Sequence, residues 1–184
     1  MGTPEFNIFV QRQQADQSEA TSFDPNQRIQ EWKSHLDALY SHIRNYMAPY
    51  VAKKTAEINL VDIELNEESI GPYNVQQMLL KIGRSTIFFK PAGTMIIGAV
   101  GRVDVVGPRG TVRLVVVDSD VTQSNQLIRV TVSEVDRPHL ESTPKVDKKK
   151  IKWAWKIMSP PPHITFTELT QDTFFDLILS VADA

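Results

Sequence analysis

The sequence predicts an α+β fold: a mainly antiparallel sheet of about six strands, packed by an N-terminal amphipathic helix and a short C-terminal helix. Three observations predict it. Apolar residues between positions 29 and 50 recur at three- and four-residue steps, the spacing of one helix face. Short β-rich runs separated by turn residues follow from Glu57 to Thr167, and consecutive strands joined by tight turns favour antiparallel pairing. A second helical pattern closes the chain at Phe174, Leu177, Ile178 and Val181.

The first helix opens at Asp24-Pro25, a capping carboxylate followed by proline at the first helical position. Gln27 stands three residues after Asp24, as in a capping box. Its apolar face is Ile29, Trp32, Leu36, Leu39, Tyr40, Ile43, Tyr46, Met47 and Tyr50, and Pro49 marks its expected end. Ile58 and Leu60 alternate, then Ile63 and Leu65 continue on shifted parity, which predicts a bulge near Val61-Asp62. A polar connector at 67–72 leads to a strand over Asn74 to Ile82. Gly83-Arg84 then turns into Thr86 to Lys90. Pro91-Ala92-Gly93 breaks that strand, Gly107-Pro108-Arg109-Gly110 is a turn, and Val112 to Val117 returns from it. Gln126 to Glu134 reads as a further strand. Ile151, Trp153, Trp155 and Ile157 alternate with Lys152, Ala154, Lys156 and Met158, so both indoles are expected to face the core and the lysines solvent. Ile164 and Phe166 make a last short strand, and Thr170 caps the final helix.

Residues 1–6 read as a leader left by cloning, residues 7–23 as a polar tail, and residues 24–184 as one α+β domain. The chain carries no cysteine, which excludes disulfides, thiolate metal sites and cysteine nucleophiles. A formal net charge of -2 gives no overall attraction to polyanions. No apolar run is long enough to span a bilayer, so no membrane partner is expected.

Motifs for cofactor chemistry are missing. No Gly-Lys-Ser/Thr phosphate loop, Gly-x-Gly-x-x-Gly fingerprint or Gly-x-Ser-x-Gly elbow occurs, so no cofactor is expected. Gly98-Ala99-Val100-Gly101 has the spacing of a KH-type clamp, but its loop residues are apolar and Asp104 stands where that pattern needs an apolar side chain. These glycines read instead as a bend or a close backbone approach. His35 and His42 are seven residues apart on the polar helix face, too far to share a metal. His139 and His163 read as loop residues. Acids gather at Asp62, Glu64, Glu67 and Glu68, and again at Asp118 and Asp120. A hydrolase reading needs these acids brought together with Arg102 or a histidine.

Two kinds of interaction surface remain. Lys145, Lys148, Lys149, Lys150, Lys152 and Lys156 flank Trp153 and Trp155, and basic residues among aromatics can hold nucleic acid by charge and stacking. Lys148, Lys149, Lys150 and Lys152 are its candidate contacts. Ile8-Phe9-Val10 in the tail, the Pro160-Pro161-Pro162 connector and the edges of the sheet are candidate surfaces for a protein partner or self-association. The sheet edge and the tail rank first, because a proline connector more often spaces than binds.

Gly93-Thr94 through Gly101-Arg102-Val103-Asp104 to Gly107-Pro108, Trp153-Ala154-Trp155-Lys156-Ile157 with Pro160-Pro161-Pro162, and Leu36-Asp37-Ala38-Leu39-Tyr40 before Pro49-Tyr50 carry a resemblance. Over most of residues 27 to 180 the chain resembles a group of bacterial α+β proteins without assigned function. The resemblance implies a bacterial, cytoplasmic origin and carries over no catalytic residue. The expectation is a non-enzymatic protein-interaction module, with nucleic-acid binding and an unrecognised hydrolase as alternatives.

Overall fold

The computed structural model describes residues 24–94, 99–127 and 151–182. Helix α1 (Pro25–Ala52) is followed by strands β1 (Ala56–Glu67), β2 (Gly71–Ile82), β3 (Ser85–Gly93), β4 (Gly101–Gly107), β5 (Gly110–Asp118), β6 (Trp153–Met158) and β7 (Phe166–Glu168), then by helix α2 (Gln171–Val181). The strands form one sheet in chain order, each antiparallel to its neighbours. The sheet thus has seven strands rather than about six. No helix among the described residues is long and apolar enough to cross a membrane.

Asp24 caps α1 as expected, accepting from the Asn26 N–H at 2.9 Å. Gln27 completes no capping box; its amide donates instead to Glu31 Oε1 at 2.9 Å. The helix also runs through Pro49 to Ala52. Proline removes one intrahelical donor, but the last turn is closed beyond it. The Lys53 and Thr55 N–H groups donate to Pro49 O and Tyr50 O, and the Thr55 hydroxyl adds a bond to Tyr50 O.

Both helices lie on one face of the sheet. Trp32, Leu36, Leu39, Ile43 and Met47 of α1 and Phe174, Leu177, Ile178 and Val181 of α2 share a core with Met78, Leu80, Ile87, Phe89, Val103, Val105, Leu114, Val116 and Trp155. Phe174 packs between Phe89 and Tyr46, with ring centroids 6.4 and 5.6 Å away. The Trp155 indole N–H reaches back to the His35 carbonyl at 2.8 Å. Gly107 admits the end of α2, because a Cβ there would overlap the Val181 carbonyl, and the Arg109 N–H donates to that same oxygen at 3.0 Å. On the opposite face, a smaller cluster of Ala99, Val115, Val117, Val121 and Phe166 forms under the segment after β5.

The expected bulge near Val61-Asp62 does not occur: β1 and β2 pair without a break from Ala56↔Ile82 to Glu67↔Gly71. Without a bulge, odd and even residues stay on opposite faces. The core-facing pairs nevertheless change from Ile58↔Leu80 and Leu60↔Met78 to Ile63↔Val75 and Leu65↔Tyr73. The β1–β2 ribbon therefore turns its other face to the core in its second half. It can do so because β3 pairs with β2 only over Met78–Ile82. The Tyr40 hydroxyl holds the ribbon to α1 through the Gln76 carbonyl at 2.6 Å. At the tip, the buried Glu67 carboxylate accepts from the Tyr73 hydroxyl and from the Thr94 N–H and hydroxyl, both at 2.9 Å. Arg28 donates to the Thr94 carbonyl at 2.8 Å, which ties α1 to the same point.

Burial, the Glu67 hydrogen bond and the Glu67 charge all raise the Tyr73 pKa well above the usual phenol range, and burial does the same to Tyr40. A phenol raised on folding contributes stability that is complete below its unfolded pKa near 10. That stability is lost as pH rises through the folded value. Unfolding midpoints in urea are expected to fall above pH ~10 and to fall less steeply in Tyr73→Phe. Equal slopes in the two proteins would contradict the buried tip.

Candidate functional site

A sheet that follows chain order leaves its first and last strands at the edges, and the two edges differ. β7 has three residues and pairs with β6 only over Lys156–Met158. β1 has twelve residues, Ala-Glu-Ile-Asn-Leu-Val-Asp-Ile-Glu-Leu-Asn-Glu, and runs about 40 Å. Natural edges are commonly blunted by shortness, charged side chains (lysine above all), proline or a bulge. β7 is short, whereas β1 is long and has no lysine, proline or bulge; its charges are the acids Glu57, Asp62, Glu64 and the buried Glu67. One side of β1 pairs with β2 throughout, and among the described residues no strand pairs with the other. About half of its backbone N–H and C=O groups face that side.

The helix beside this edge is shaped to leave room. Arg44, Ala48 and Ala52 follow one another at four-residue steps, and Val51 joins them on the same side of α1. With Ile58 of β1 they line a groove of about 480 Å³. Val51 and Ile58 are also part of a second concavity of about 780 Å³, which extends the groove past Lys54, Thr55, Ala56 and Glu57 to Lys81. Tyr50 and Val51 at the end of α1 are exposed, and Val61 of β1 is 47% exposed. The groove thus has small and apolar walls, an unpaired strand along one side and cations at its ends.

The basic stretch is not one surface. Lys148, Lys149 and Lys150 lie outside the described residues, and Lys152 is exposed. Lys156, expected in solvent, is buried; its ammonium donates to the Ser119 and Val121 carbonyls at 2.6 Å each. The segment after β5 folds over the outer sheet face and supplies those acceptors. Trp153, expected in the core, is 43% exposed and Ile151 is exposed with it. Both stand at the open start of β6, whereas Trp155 is buried against Trp32 at a centroid distance of 6.0 Å. Gln126 lies in a short 3-10 turn (Ser124–Gln126) rather than a strand, and residues 128–134 of that expected strand are outside the described residues. So are Ile8, Phe9, Val10 and His139.

The acids are dispersed. Asp62 lines a concavity with Lys33, Asp37 and Tyr40, and bonds to the Gln76 amide at 3.1 Å. Asp118 lines a different one with Arg28, Glu31, Ile151 and Trp153, and accepts from the Asp120 N–H at 3.1 Å. Arg102 pairs with Asp104 at 3.0 Å and joins neither set. Burial lowers the His35 pKa, opposed in part by Glu31, while His42 and His163 are exposed. No group of three His, Asp or Glu that could hold a metal ion occurs among the described residues.

Sequence reasoning missed one further cleft. About 550 Å³ lies between α2 and β5–β7, floored by Val112, Ile157, Met158 and Leu177 and rimmed by Arg113, Asp176 and Pro160. Three of its hydroxyls are engaged locally: Thr173 donates to Glu168 O, Ser180 to Leu177 O and Ser159 to His163 O. No known protein family, curated protein or solved structure matches the chain.

Proposed function

We propose that the chain is a non-enzymatic protein-interaction module of a bacterial cytoplasmic system, and that it binds an extended segment of a partner by strand addition to β1. One observation carries the reading: a twelve-residue edge strand without proline, lysine or bulge borders a groove lined by Ala48, Val51 and Ala52 of α1. Strand addition supplies affinity through main-chain hydrogen bonds, and the wall of the groove selects every second side chain. The small residues on α1 leave space for those side chains. The nucleic-acid alternative loses Lys156, whose ammonium is occupied by two carbonyls.

The test is titration of the labelled protein with eight- to ten-residue peptides that alternate valine with polar residues. Amide shifts are expected along Ala56–Glu67 and at Ala48–Ala52. Ala48→Trp, at an exposed helix position, fills the groove and is expected to weaken binding at least tenfold with little change in stability. Shifts elsewhere, or none at saturating peptide, would remove the reading.

A further inference from the structure

Charge is not spread evenly along the β1 edge. At its start, Arg44, Lys54 and Lys81 line the groove, and Lys53 sits beside them at the end of α1. Glu57 is the acid in this group, and it faces Lys81 across the β1–β2 ladder. Towards the other end come Asp62 and Glu64, both exposed, with Glu68 in the turn that follows; Lys33 and Asp37 of α1 line the concavity beside Asp62 and offset one another, which leaves this end acidic. Lys53 and Lys54 offset the negative end of the α1 dipole in part; Arg44 and Lys81 lie away from the helix end. Asp62 is about six residues from the start of the strand, roughly 20 Å. That separation exceeds the screening length of about 8 Å at physiological salt. The two charge groups therefore act on different parts of a bound segment.

We infer that the edge selects both the composition and the direction of its ligand: an extended segment with basic residues in its N-terminal half and acidic residues or a terminal carboxylate in its C-terminal half, added antiparallel to β1. Antiparallel addition places the segment's C-terminal half beside Lys53 and Lys54 and its N-terminal half beside Asp62 and Glu64, whereas Lys81 lies one strand further in, across the ladder from Glu57. A segment with the opposite charge order meets like charges at both ends in that direction. It could relieve them only by adding parallel, which pairs slightly less well per residue. This inference rests on the strand-addition reading and is tested separately from it.

Two peptides of identical composition distinguish the cases: Lys-Val-Lys-Val-Thr-Val-Glu-Val-Glu and Glu-Val-Glu-Val-Thr-Val-Lys-Val-Lys. By fluorescence anisotropy at low salt, the first is expected to bind at least tenfold more tightly, with the difference shrinking as salt rises. The double variant Lys53→Glu/Lys54→Glu, at exposed positions, is expected to abolish or reverse the preference. Equal affinity of the two peptides for the unaltered protein would overturn the charge-order inference and leave strand addition standing. Absence of binding by both would overturn both.

Discussion

Trp32→Ala is expected to cost about 3–5 kcal/mol of stability, the range for removing a large aromatic from a close-packed core. Trp32 is fully buried in the first third of α1, and two features of the sheet are fitted to it. Trp155 tilts against it at 44°. Gly101 lies under its six-membered ring so closely that a Cβ there would overlap Cζ3 and Cε3. Gly101→Ala is accordingly expected to cost about 1–3 kcal/mol through overpacking. Trp32→Leu combined with Gly101→Ala is expected to cost less than the sum of the single changes, because the smaller side chain vacates the space the new methyl needs. Urea unfolding of the four proteins measures the coupling. Additivity, or a Gly101→Ala variant within about 0.5 kcal/mol of the parent, would show that helix and strand do not meet at this point.

Lys156→Met is expected to cost about 2–3 kcal/mol, since hydrogen bonds from a charged donor are worth more than neutral ones and two carbonyls would lose theirs. Methionine keeps the apolar stem, so the loss reports mainly on the ammonium. Its two acceptors, Ser119 O and Val121 O, belong to the segment that covers Val115, Val117 and Phe166. Hydrogen exchange is expected to quicken selectively in residues 119–127, ahead of the central strands. Unchanged exchange in that segment would mean that other contacts hold it in place.

What the sequence disclosed depended on whether a local rule decided the outcome. The α1 face was legible because six buried residues follow helical spacing. The Asp24 and Thr170 caps were legible because a side chain and an N–H two or three residues apart settle them. Alternation shows which sheet face a residue joins, but not whether anything covers it there. Trp153 and Trp155 share parity, yet Trp155 lies opposite Val116 above the helix, while Trp153 lies opposite Asp118 at the end of the ladder. Lys156 was misplaced for the converse reason, since its acceptors come from more than 30 residues away. The phase change in β1 was real and its cause was mistaken. β2 changes face at the matching residues, a correlation visible only once the two strands are paired. The candidate groove left a faint trace in Ala48 and Ala52, four residues apart at the end of an otherwise bulky helix. Nothing local says that β1 runs beside them.

The strand order has a consequence for how the chain reaches this structure. Each strand pairs with the one before it, so most of the sheet can zip from adjacent hairpins at low loop-closure cost. The connection from β5 to β6 is longer, but closure entropy grows only by about 0.6 kcal/mol per doubling of length. The contacts of greatest sequence separation are those of α1 with the end of the chain: the Tyr46 ring on Phe174 of α2, and the bond from the Trp155 indole to His35 O, 120 residues apart. The ribbon that carries β1 is also the part of the sheet nearest to α1 in the chain, so its edge is expected to take shape early, among local contacts, before the distant strands pack on the helix.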